Sequence, residues 1–405
     1  MRKPGPGARV PTLAAILDVI RERVTVSRVE LVGATGFTAA TITHAIRELI
    51  TVGFVRETGT AQSSLGTPRR LLELEPSACY TVGIQLDRFT ATGVVVDLAG
   101  HTVARSTMAG AGTREPAEVL AFIADHVDAL LASAGLPRDK VLGVGLATYG
   151  PQDRDAGVLI TAQPTASWLD FPVAHTLAEL IGVPVLIEND ATAAAIGEEG
   201  LGGRRSSFGT IYMAGGIGGG VVLDGLPYRG ATSNGVELGH ISIDAQGPWC
   251  SCGNRGCVEN IGGPTAIVRR ALAEPDLAAR LRLGGNTVAD FERVARGAMA
   301  GDPAARALIE ASADALAAAT VTLVNLFDLG RVVLAGAAFA TAGPLYRDAA
   351  QAALDRSAFM RAAHPVTVDL SRQTSDAAAI GGAVIVLRSL LETRTSTSGP
   401  LVVAR

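Results

Sequence analysis

The chain places one histidine and three of its four cysteines within 18 residues. They follow the pattern H-x9-C-x-C-x4-C and are His240, Cys250, Cys252 and Cys257. Three thiolates and one imidazole are a usual ligand set of closed, tetrahedral zinc sites. The loop "GPWCSCGNRGC" has little apolar content, so a bound metal would supply the energy that orders it. The spacing predicts a structural zinc site, with buried free cysteines or a redox pair as the alternatives.

The segments around this cluster predict an α/β protein from Tyr80 onwards. "YTVGIQLDRFTATGVVVDLAGHTVARSTM" predicts three successive strands, and the short apolar runs "VLGVGLATYG" and "PVLIEND" are typical of buried parallel strands. Helical segments lie between them, and the plan of strands and helices then repeats. The body is therefore predicted to be built from strands and helices in alternation.

A short internal repeat supports two lobes. "ENDATAAAIGE" and "TSDAAAIGGAV" each follow a predicted strand, and Asp190 and Asp376 within them are 376 − 190 = 186 residues apart. Such a repeat indicates two lobes that share one plan. A cleft between two lobes is a common place for a small ligand.

The head of the chain has the pattern of a helix-turn-helix. Apolar residues at 13, 16, 17 and 20 fit one helix face. Ser27 is placed to cap a short second helix, and Thr38 a third helix with Ile42, Ile46 and Leu49 on its core face. The outward side chains of that third helix are predicted to contact DNA, and they are Ala39, Ala40, Thr43, His44 and Arg47.

A polar stretch after the third helix predicts a wing. Two short apolar runs flank "GTAQSSLGTP", and Arg69 and Arg70 at its tip suit a minor groove or the phosphate backbone. Residues 1–75 carry ten Lys or Arg against seven Asp or Glu, a balance of +3 in a chain of net charge −4. This favours DNA binding over the alternative of a three-helix scaffold with a solvated loop.

The composition bounds the class of protein. The chain has 405 residues, of which 48% are hydrophobic and 18% charged, as in a soluble protein of two or three domains. The chain has no uninterrupted run of about 18 apolar residues, so the sequence predicts no membrane span. The basic N-terminus has no apolar segment behind it, which argues against a signal peptide. The few clustered cysteines indicate a reducing cytoplasm.

The cysteine segment also resembles a known family. "ELGHISIDAQGPWCSCGNRGCVE" resembles the E-x-G-H … C-x-C-G-x-x-G-C-x-E signature of the ROK family, named for repressor, open reading frame and kinase. "IENDATAAAIGE" is similar to that family's E-N-D-A-N-A-A-A segment, and "MAGGIGGGVVLDG" to its glycine-rich G-T-G-I-G-G-G turn. The resemblance covers residues 78–395, and the winged head matches the repressor branch.

The resemblance implies a fold and a domain organisation. It implies the two-lobed fold shared with hexokinase and actin, behind an N-terminal winged helix-turn-helix at residues 1–76. The first lobe would span residues 77–200 and be joined by the C-terminal helix 376–395. The second lobe would span 201–375 and contain the zinc loop.

The resemblance also implies a sugar site in the cleft. The implied sugar ligands are Asn189, Asp190, Glu237, His240 and Glu259. Carboxylates accept hydrogen bonds from vicinal hydroxyls, and an amide adds a donor. His240 would bind metal through one ring nitrogen and a hydroxyl through the other. Taken alone, Glu237 and Glu259 fit solvated surface charge equally well.

The phosphate motifs of the family's kinases are altered in this chain. Where the kinases have D-x-G-G-T, this chain has "GIQLDRFT", with Gln85 for the aspartate and Asp87-Arg88-Phe89 for Gly-Gly-Thr. Side chains then occupy space that backbone amides would give to phosphate. In the second turn, Gly215 replaces the usual threonine. On the adenine side, Ala337 and Ala338 replace glycines.

These departures favour a regulator without enzymatic activity. The first hypothesis is a sugar-responsive transcription factor, which the resemblance to the family's repressor branch implies to be a repressor of carbohydrate genes. The alternative is a glucokinase-like sugar kinase that carries a DNA-binding head. The expected partners are a sugar or amino-sugar effector and a pseudo-palindromic operator bound by a homodimer or homotetramer.

Overall fold

The head comprises three helices and a three-stranded sheet. The computed structural model describes residues 12–61, 69–200 and 206–393. In the head these form α1 (Thr12–Arg23), β1 (Val26–Ser27), α2 (Arg28–Thr35), α3 (Ala39–Thr51), β2 (Val55–Ala61) and β3 (Arg69–Leu74). The sheet order is β1-β3-β2, and both pairings are antiparallel. Three helices and the β2–β3 hairpin lie where the sequence predicts the helix-turn-helix and its wing, and the predicted wing residues 62–68 lie outside the described residues.

The caps of the head helices are those that the sequence predicts. Ser27 and Glu30 form a reciprocal capping box at the start of α2, and Gly36 ends that helix with a left-handed φ of 72°. The Thr38 side chain accepts a hydrogen bond from the Thr41 N–H at the start of α3. The predicted apolar faces are buried, and they contain Leu13, Ile16, Leu17, Ile20, Ile42, Ile46 and Leu49.

The first lobe is a five-stranded sheet with flanking helices. Its elements are β4 (Tyr80–Leu86), β5 (Thr90–Asp97), β6 (Thr102–Ala109), α4 (Pro116–Ser133), β7 (Val141–Thr148), β8 (Gln152–Asp153), β9 (Val158–Leu159), α5 (Val173–Ile181), β10 (Val185–Asn189) and α6 (Asp190–Glu199). The sheet order is β10-β7-β4-β5-β6, and β8 and β9 form a separate small hairpin. The three predicted strands from Tyr80 are confirmed as β4, β5 and β6.

The second lobe repeats this plan. Its elements are β11 (Phe208–Met213), β12 (Ile217–Leu223), β13 (Leu226–Pro227), α7 (Val258–Gly262), α8 (Pro264–Leu272), α9 (Pro275–Leu281), α10 (Thr287–Met299), α11 (Pro303–Phe327), β14 (Arg331–Ala335), α12 (Phe339–Ser357), β15 (Thr367–Leu370) and α13 (Ala377–Thr393). The sheet order is β13-β12-β11-β14-β15. When it is read from β15 to β13, it matches the order β10-β7-β4-β5-β6 of the first sheet strand for strand. In both sheets an antiparallel meander is extended by two parallel strands. The structure therefore has the duplicated two-lobed architecture that the repeat predicts.

The lobes exchange their last helices. α6 follows the first sheet but packs on β11 and β12 of the second, whereas α13 follows the second sheet and packs on β4 and β7 of the first. The two helices also pack against each other, at the glycines of the two "AAAIG" segments. A Cβ on Gly197 would lie 2.1 Å from Ala377 O, and one on Gly381 would lie 1.7 Å from Ala193 O. Only glycine allows the backbones to approach this closely.

Helix α11 is a core helix of the second lobe. By length and apolar composition it would suffice to cross a membrane, and no other helix among the described residues does so. However, 61% of its most apolar window is buried against the rest of the lobe. Its composition is thus explained by packing in the core, as for many long buried helices.

Candidate functional site

The histidine and the three cysteines meet at one point. Their ligand atoms all lie within 4.8 Å of one another. Cys250 Sγ is 3.6 Å from His240 Nδ1, and Cys252 Sγ is 3.6 Å from Cys257 Sγ. Sulfurs bound tetrahedrally at about 2.3 Å from a metal lie about 3.8 Å apart. The spacing of the four ligand atoms is therefore close to the spacing around a single tetrahedral ion. These residues fit a tetrahedral metal ion.

The loop around the cluster is held by backbone geometry and one stacked arginine. Gly256 has a φ of +63°, and a Cβ there would lie 1.8 Å from Asp244 O, so no other residue fits. The Arg255 guanidinium lies 5.0 Å from the centre of the Trp249 ring and donates to two loop carbonyls. Backbone hydrogen bonds also fold the segment, among them Cys250 N to Asn254 O and Gly256 N to Pro248 O, and a bound metal would add a further constraint.

The predicted sugar ligands come from the junction of β10 and α6 and from the segment around the cluster. Asn189 caps α6 through its Oδ1, which accepts from Ala191 N and Thr192 N. Glu259 follows the last cysteine on α7, and its Oε2 accepts the Ile217 N–H at 2.6 Å. Burial is the largest cause that raises the pKa of both Asp190 and Glu259, and the charge of Glu237 adds to it.

Asp190 carries the most perturbed carboxyl of the cleft. Desolvation and, second, the negative charge of Asp87 raise the pKa of Asp190 to about 8. Its Oδ1 also accepts the Ala191 N–H at 2.8 Å, which opposes the shift. The raised pKa favours the protonated form of Asp190, which can donate as well as accept a hydrogen bond.

Comparison with known proteins identifies the family. The profile of the ROK family matches residues 81–389, which is most of the chain. The chain belongs to the ROK family. It is 28% identical over 382 residues to a putative xylose repressor of Caldicellulosiruptor sp., covering 93% of this chain and 95% of that protein.

Two solved ROK structures frame the comparison. One is a ROK family transcriptional regulator, a homologue of the E. coli MLC protein, with a TM-score of 0.75 and 24% identity over 95% of this chain and 99% of that one. The other is a ROK family glucokinase from Streptomyces griseus in complex with glucose and AMPPNP, with a TM-score of 0.63 and 28% identity. The glucokinase covers 76% of this chain and 98% of its own. The two-lobed fold is thus common to ROK regulators and ROK kinases.

The Asp87 side chain packs against the glycine-rich turn of the second lobe. Asp87, just after β4, is only 8% exposed. Its carboxylate lies against Gly215 in the turn between β11 and β12, where a Cβ on Gly215 would lie 3.1 Å from Asp87 Oδ2. Burial raises the pKa of Asp87, while backbone N–H groups, that of Arg88 first, oppose the rise. A buried carboxylate of the first lobe therefore lies against the glycine-rich turn of the second.

The other altered positions lie close to the sheet ends. Gln85 is buried on β4, with a carboxamide where the kinase motif has a metal-linked carboxylate. Ala338 is buried just before α12, and its N–H donates to Met213 O at 3.1 Å. Trp168 is a core residue of the first lobe. It is 1% exposed, and its Nε1 donates to Arg114 O.

The head presents one polar face on α3. All five predicted DNA contacts on this helix are exposed, opposite its buried face. Arg69 and Arg70 are exposed as well, but they begin strand β3 and lie beside the predicted wing tip instead of on it. Arg70 is also ion-paired with Glu57 on β2, a contact that sequence spacing did not indicate.

The sequence missed the residues that connect the lobes near the sugar ligands. Glu188, next to Asn189, is 1% exposed and accepts from Arg229, which lies beyond β13 in the second lobe. Asn234 makes two hydrogen bonds to the backbone of Gln152 in the first lobe. The one available signal was an acidic residue inside the apolar run "PVLIEND", since a buried charge requires a partner.

Proposed function

We propose that this ROK protein is a sugar-responsive, DNA-binding transcriptional repressor of carbohydrate genes, without sugar kinase activity. The observation that carries the proposal is the buried Asp87 carboxylate packed against Gly215 of the glycine-rich turn, in a chain that also has the helices and hairpin of a winged head. Phosphoryl transfer depends on unobstructed donors around the phosphates and a bound metal ion. Gln85 supplies no carboxylate for that metal, and Asp87 places negative charge where a polyanion would bind.

The sugar would be held by donors and acceptors on both lobes. Asp190 and Asn189 come from the junction of β10 and α6, whereas Glu237, His240 and Glu259 come from the second lobe. Ionised carboxylates accept strong hydrogen bonds from hydroxyls, and the amide Nδ2 of Asn189 and the protonated Asp190 can donate. A ligand that bridges the two sides would favour a closed arrangement of the lobes.

A structural zinc would shape this site. The four ligands are those that zinc prefers, and zinc when bound supplies folding energy to the loop. Because Nδ1 of His240 faces Cys250 Sγ, its Nε2 remains for a sugar hydroxyl. The metal thus orients His240 directly and Glu259 through Cys257, two residues before it.

The head would bind operator DNA as part of a homodimer or homotetramer. The short side chains at the start of α3 permit a close approach to a major groove, with Thr43 and His44 at base edges and Arg47 near phosphate. Arg69 and Arg70 would reach phosphate or the minor groove from the wing. DNA binding and metal-bound thiolates both suit the cytoplasm.

The head is packed on the first lobe, so a sugar signal has a physical route to it. One hydrophobic core runs from the head helices through Leu98 and into α6 and α13. The Arg21 Nη2 of α1 donates to Leu98 O at 3.1 Å, and Arg388 of α13 donates to Gly200 O at the end of α6. Since α6 begins at the proposed sugar ligands, a movement of α6 would be transmitted through this core to α1.

The proposal is tested by selecting a duplex from a random DNA library and titrating sugars against the complex. Xylose, glucose, mannose, glucosamine and N-acetylglucosamine form the panel. We expect at least one sugar to change the affinity for the selected duplex by about fivefold or more, the lower end of ordinary allosteric coupling. A folded, zinc-loaded protein that selects no duplex, or that responds to no sugar, would contradict the proposal.

A further inference from the structure

The segment that carries Glu237 is a bridge between the lobes. Residues 228–237, here called the strap, connect β13 to a 3₁₀ turn at Leu238–His240. The strap has no regular secondary structure. One end therefore leads directly into the metal cluster through His240, and Glu237 lies three residues before it. What fixes the rest of the strap decides where Glu237 points.

Two contacts fix the strap to the first lobe. Asn234 Oδ1 accepts the Gln152 N–H at 2.8 Å, and Asn234 Nδ2 donates to the Gln152 carbonyl at 3.0 Å. Arg229 donates through Nε at 2.9 Å and Nη2 at 2.8 Å to Oε2 of the buried Glu188. Gln152 is 0% exposed and Glu188 is 1% exposed, so one partner of each contact is shielded from water. Shielded contacts of this kind are worth more than the same pairs at the surface.

The strap is also stiff between these contacts and Glu237. Gly235 N donates to Arg229 O at 3.0 Å, and Asn234 Nδ2 donates to Thr232 O at 2.8 Å, which folds the strap on itself. Val236 has a φ of +67°, an outlier for a β-branched residue. Such a conformation persists only where its surroundings determine it. A shift at Asn234 or Arg229 would thus be transmitted to Glu237.

We propose that Asn234 and Arg229 are positioning residues for sugar binding. They tie the strap to the first lobe, while the metal cluster ties its other end to the second. Together the two anchors hold Glu237 over the cleft, and separation of the lobes would withdraw it. This inference rests on the proposed sugar site, and it assigns to two residues outside that site the placement of one of its ligands.

The first experiment measures sugar affinity by calorimetry, with the panel sugar that binds the wild type most tightly. Asn234→Ala removes both hydrogen bonds to Gln152, and we expect its Kd to rise about tenfold, the equivalent of one well-placed hydrogen bond at Glu237. Asn234→Asp keeps the acceptor for the Gln152 N–H. Its Kd should lie between the Kd of the wild type and that of Asn234→Ala. Arg229→Lys keeps the charge beside Glu188 but not the two-pronged contact, and should weaken binding as well.

Arg280→Lys is the matched control. Arg280 also donates through Nε and Nη2 to one carboxylate oxygen, of Asp302, at 3.1 and 3.0 Å, but within the second lobe and away from the strap. Its Kd should equal that of the wild type. Zinc content and the affinity for DNA without sugar should stay unchanged in all variants, which separates positioning from general damage to the fold.

A double-mutant cycle tests whether Asn234 acts through Glu237. If it does, Asn234→Ala should have little further effect in a Glu237→Gln background. Additive losses, or an unchanged Kd in Asn234→Ala, would overturn the inference. A folded, zinc-loaded wild type that binds no sugar of the panel would instead remove the proposed function itself, and the inference with it.

Discussion

Two carboxylates approach the same glycine-rich turn from different lobes, and we propose opposite roles for them. The Ile217 N–H of the turn between β11 and β12 donates to Glu259, whereas the Asp87 carboxylate packs against Gly215. Glu259 comes from the cysteine segment of the same lobe and is a proposed sugar ligand. Asp87 comes from the other lobe and lies where we propose that a nucleotide phosphate is excluded. Backbone N–H groups donate to any anion within reach, so in this proposal the carboxylate at the turn distinguishes a regulator from a kinase.

The sugar side is expected to collapse when its metal is removed. Cys252→Ser should lose the metal, because a serine oxygen is a poor replacement for a thiolate ligand. Sugar binding should fall by about 100-fold or more, since two of the proposed ligands lie on the loop and beside it. Elemental analysis and calorimetry on the same sample measure both, against about one zinc per chain in the wild type.

Cys79→Ala is the control for that variant. Cys79 is buried in the core between the head and the first lobe, far from the metal ligands in sequence and not among them in space. It should keep its metal and bind sugar normally. If Cys252→Ser lost the metal and still bound sugar like the wild type, the metal would have no part in shaping the sugar side.

Loss of Asp190 is the next largest effect. Asp190→Ala removes a donor and acceptor from the junction of the lobes, and we expect the Kd for sugar to rise at least about tenfold. Metal content should stay at the wild-type level, which distinguishes this variant from Cys252→Ser. Unchanged sugar affinity would remove Asp190 from the set of ligands.

Some of this arrangement could be predicted from the sequence, and some could not. The four metal ligands lie within one short segment, so their spacing carried the chemistry. The caps Ser27 and Thr38 and the face of α3 are equally local, and they are confirmed. The contact between Asp87 and Gly215 joins two lobes that are distant in the chain, and nothing in either segment alone specifies it. The same is true of Asn234 and Gln152, and of the exchange of α6 and α13.

The head gives a smaller and more gradual effect. Arg69→Ala should weaken binding to all duplexes and reduce the slope of log affinity against log salt by about one unit if Arg69 contacts a phosphate. Arg70→Ala should do so less, because Glu57 already neutralises part of its charge. His44→Ala should alter which duplex is preferred. Binding at several salt concentrations measures all three.

Arg296→Ala is the matched control for the wing variants, since this arginine lies on α10 in the second lobe and pairs with Glu292. Its salt dependence should equal that of the wild type. If the three head variants behaved like Arg296→Ala, the assignments of the wing and of α3 would both be wrong.

The smallest expected effect is a pH dependence of stability that links Asp190 and Asp87. The pKa of Asp190 is about 8 when folded, against a model-compound value of 3.8. Between about pH 4 and 8 the folded state keeps a proton that the unfolded state releases, so Asp190 makes stability fall as pH rises through this window. Asp190→Asn should gain in Tm relative to the wild type across that window, by about 2 °C or more, and level off above it.

Asp87→Asn should reduce the same slope, because it removes the charge that helps to raise the Asp190 pKa. The Tm of each protein, measured from pH 5 to 9 in buffers of one ionic strength, checks both variants. Parallel curves for the wild type and Asp190→Asn would show that Asp190 is already ionised in the folded protein. The charge of Asp87 would then not raise the pKa of Asp190 as described.

The central claim is that Asp87 has closed the nucleotide side while the sugar side remains. It is tested most directly by an assay that couples ATP-dependent sugar phosphorylation to a dehydrogenase, run on the wild type with each sugar of the panel. The account predicts no turnover above background, together with a sugar that raises the Tm and ATP that does not. A ligand at about 100 times its Kd should stabilise the fold by about 2.7 kcal/mol. A turnover of about one per second is at the low end for kinases. Such a turnover, abolished by Asp190→Asn, would contradict the account and identify a kinase with a DNA-binding head.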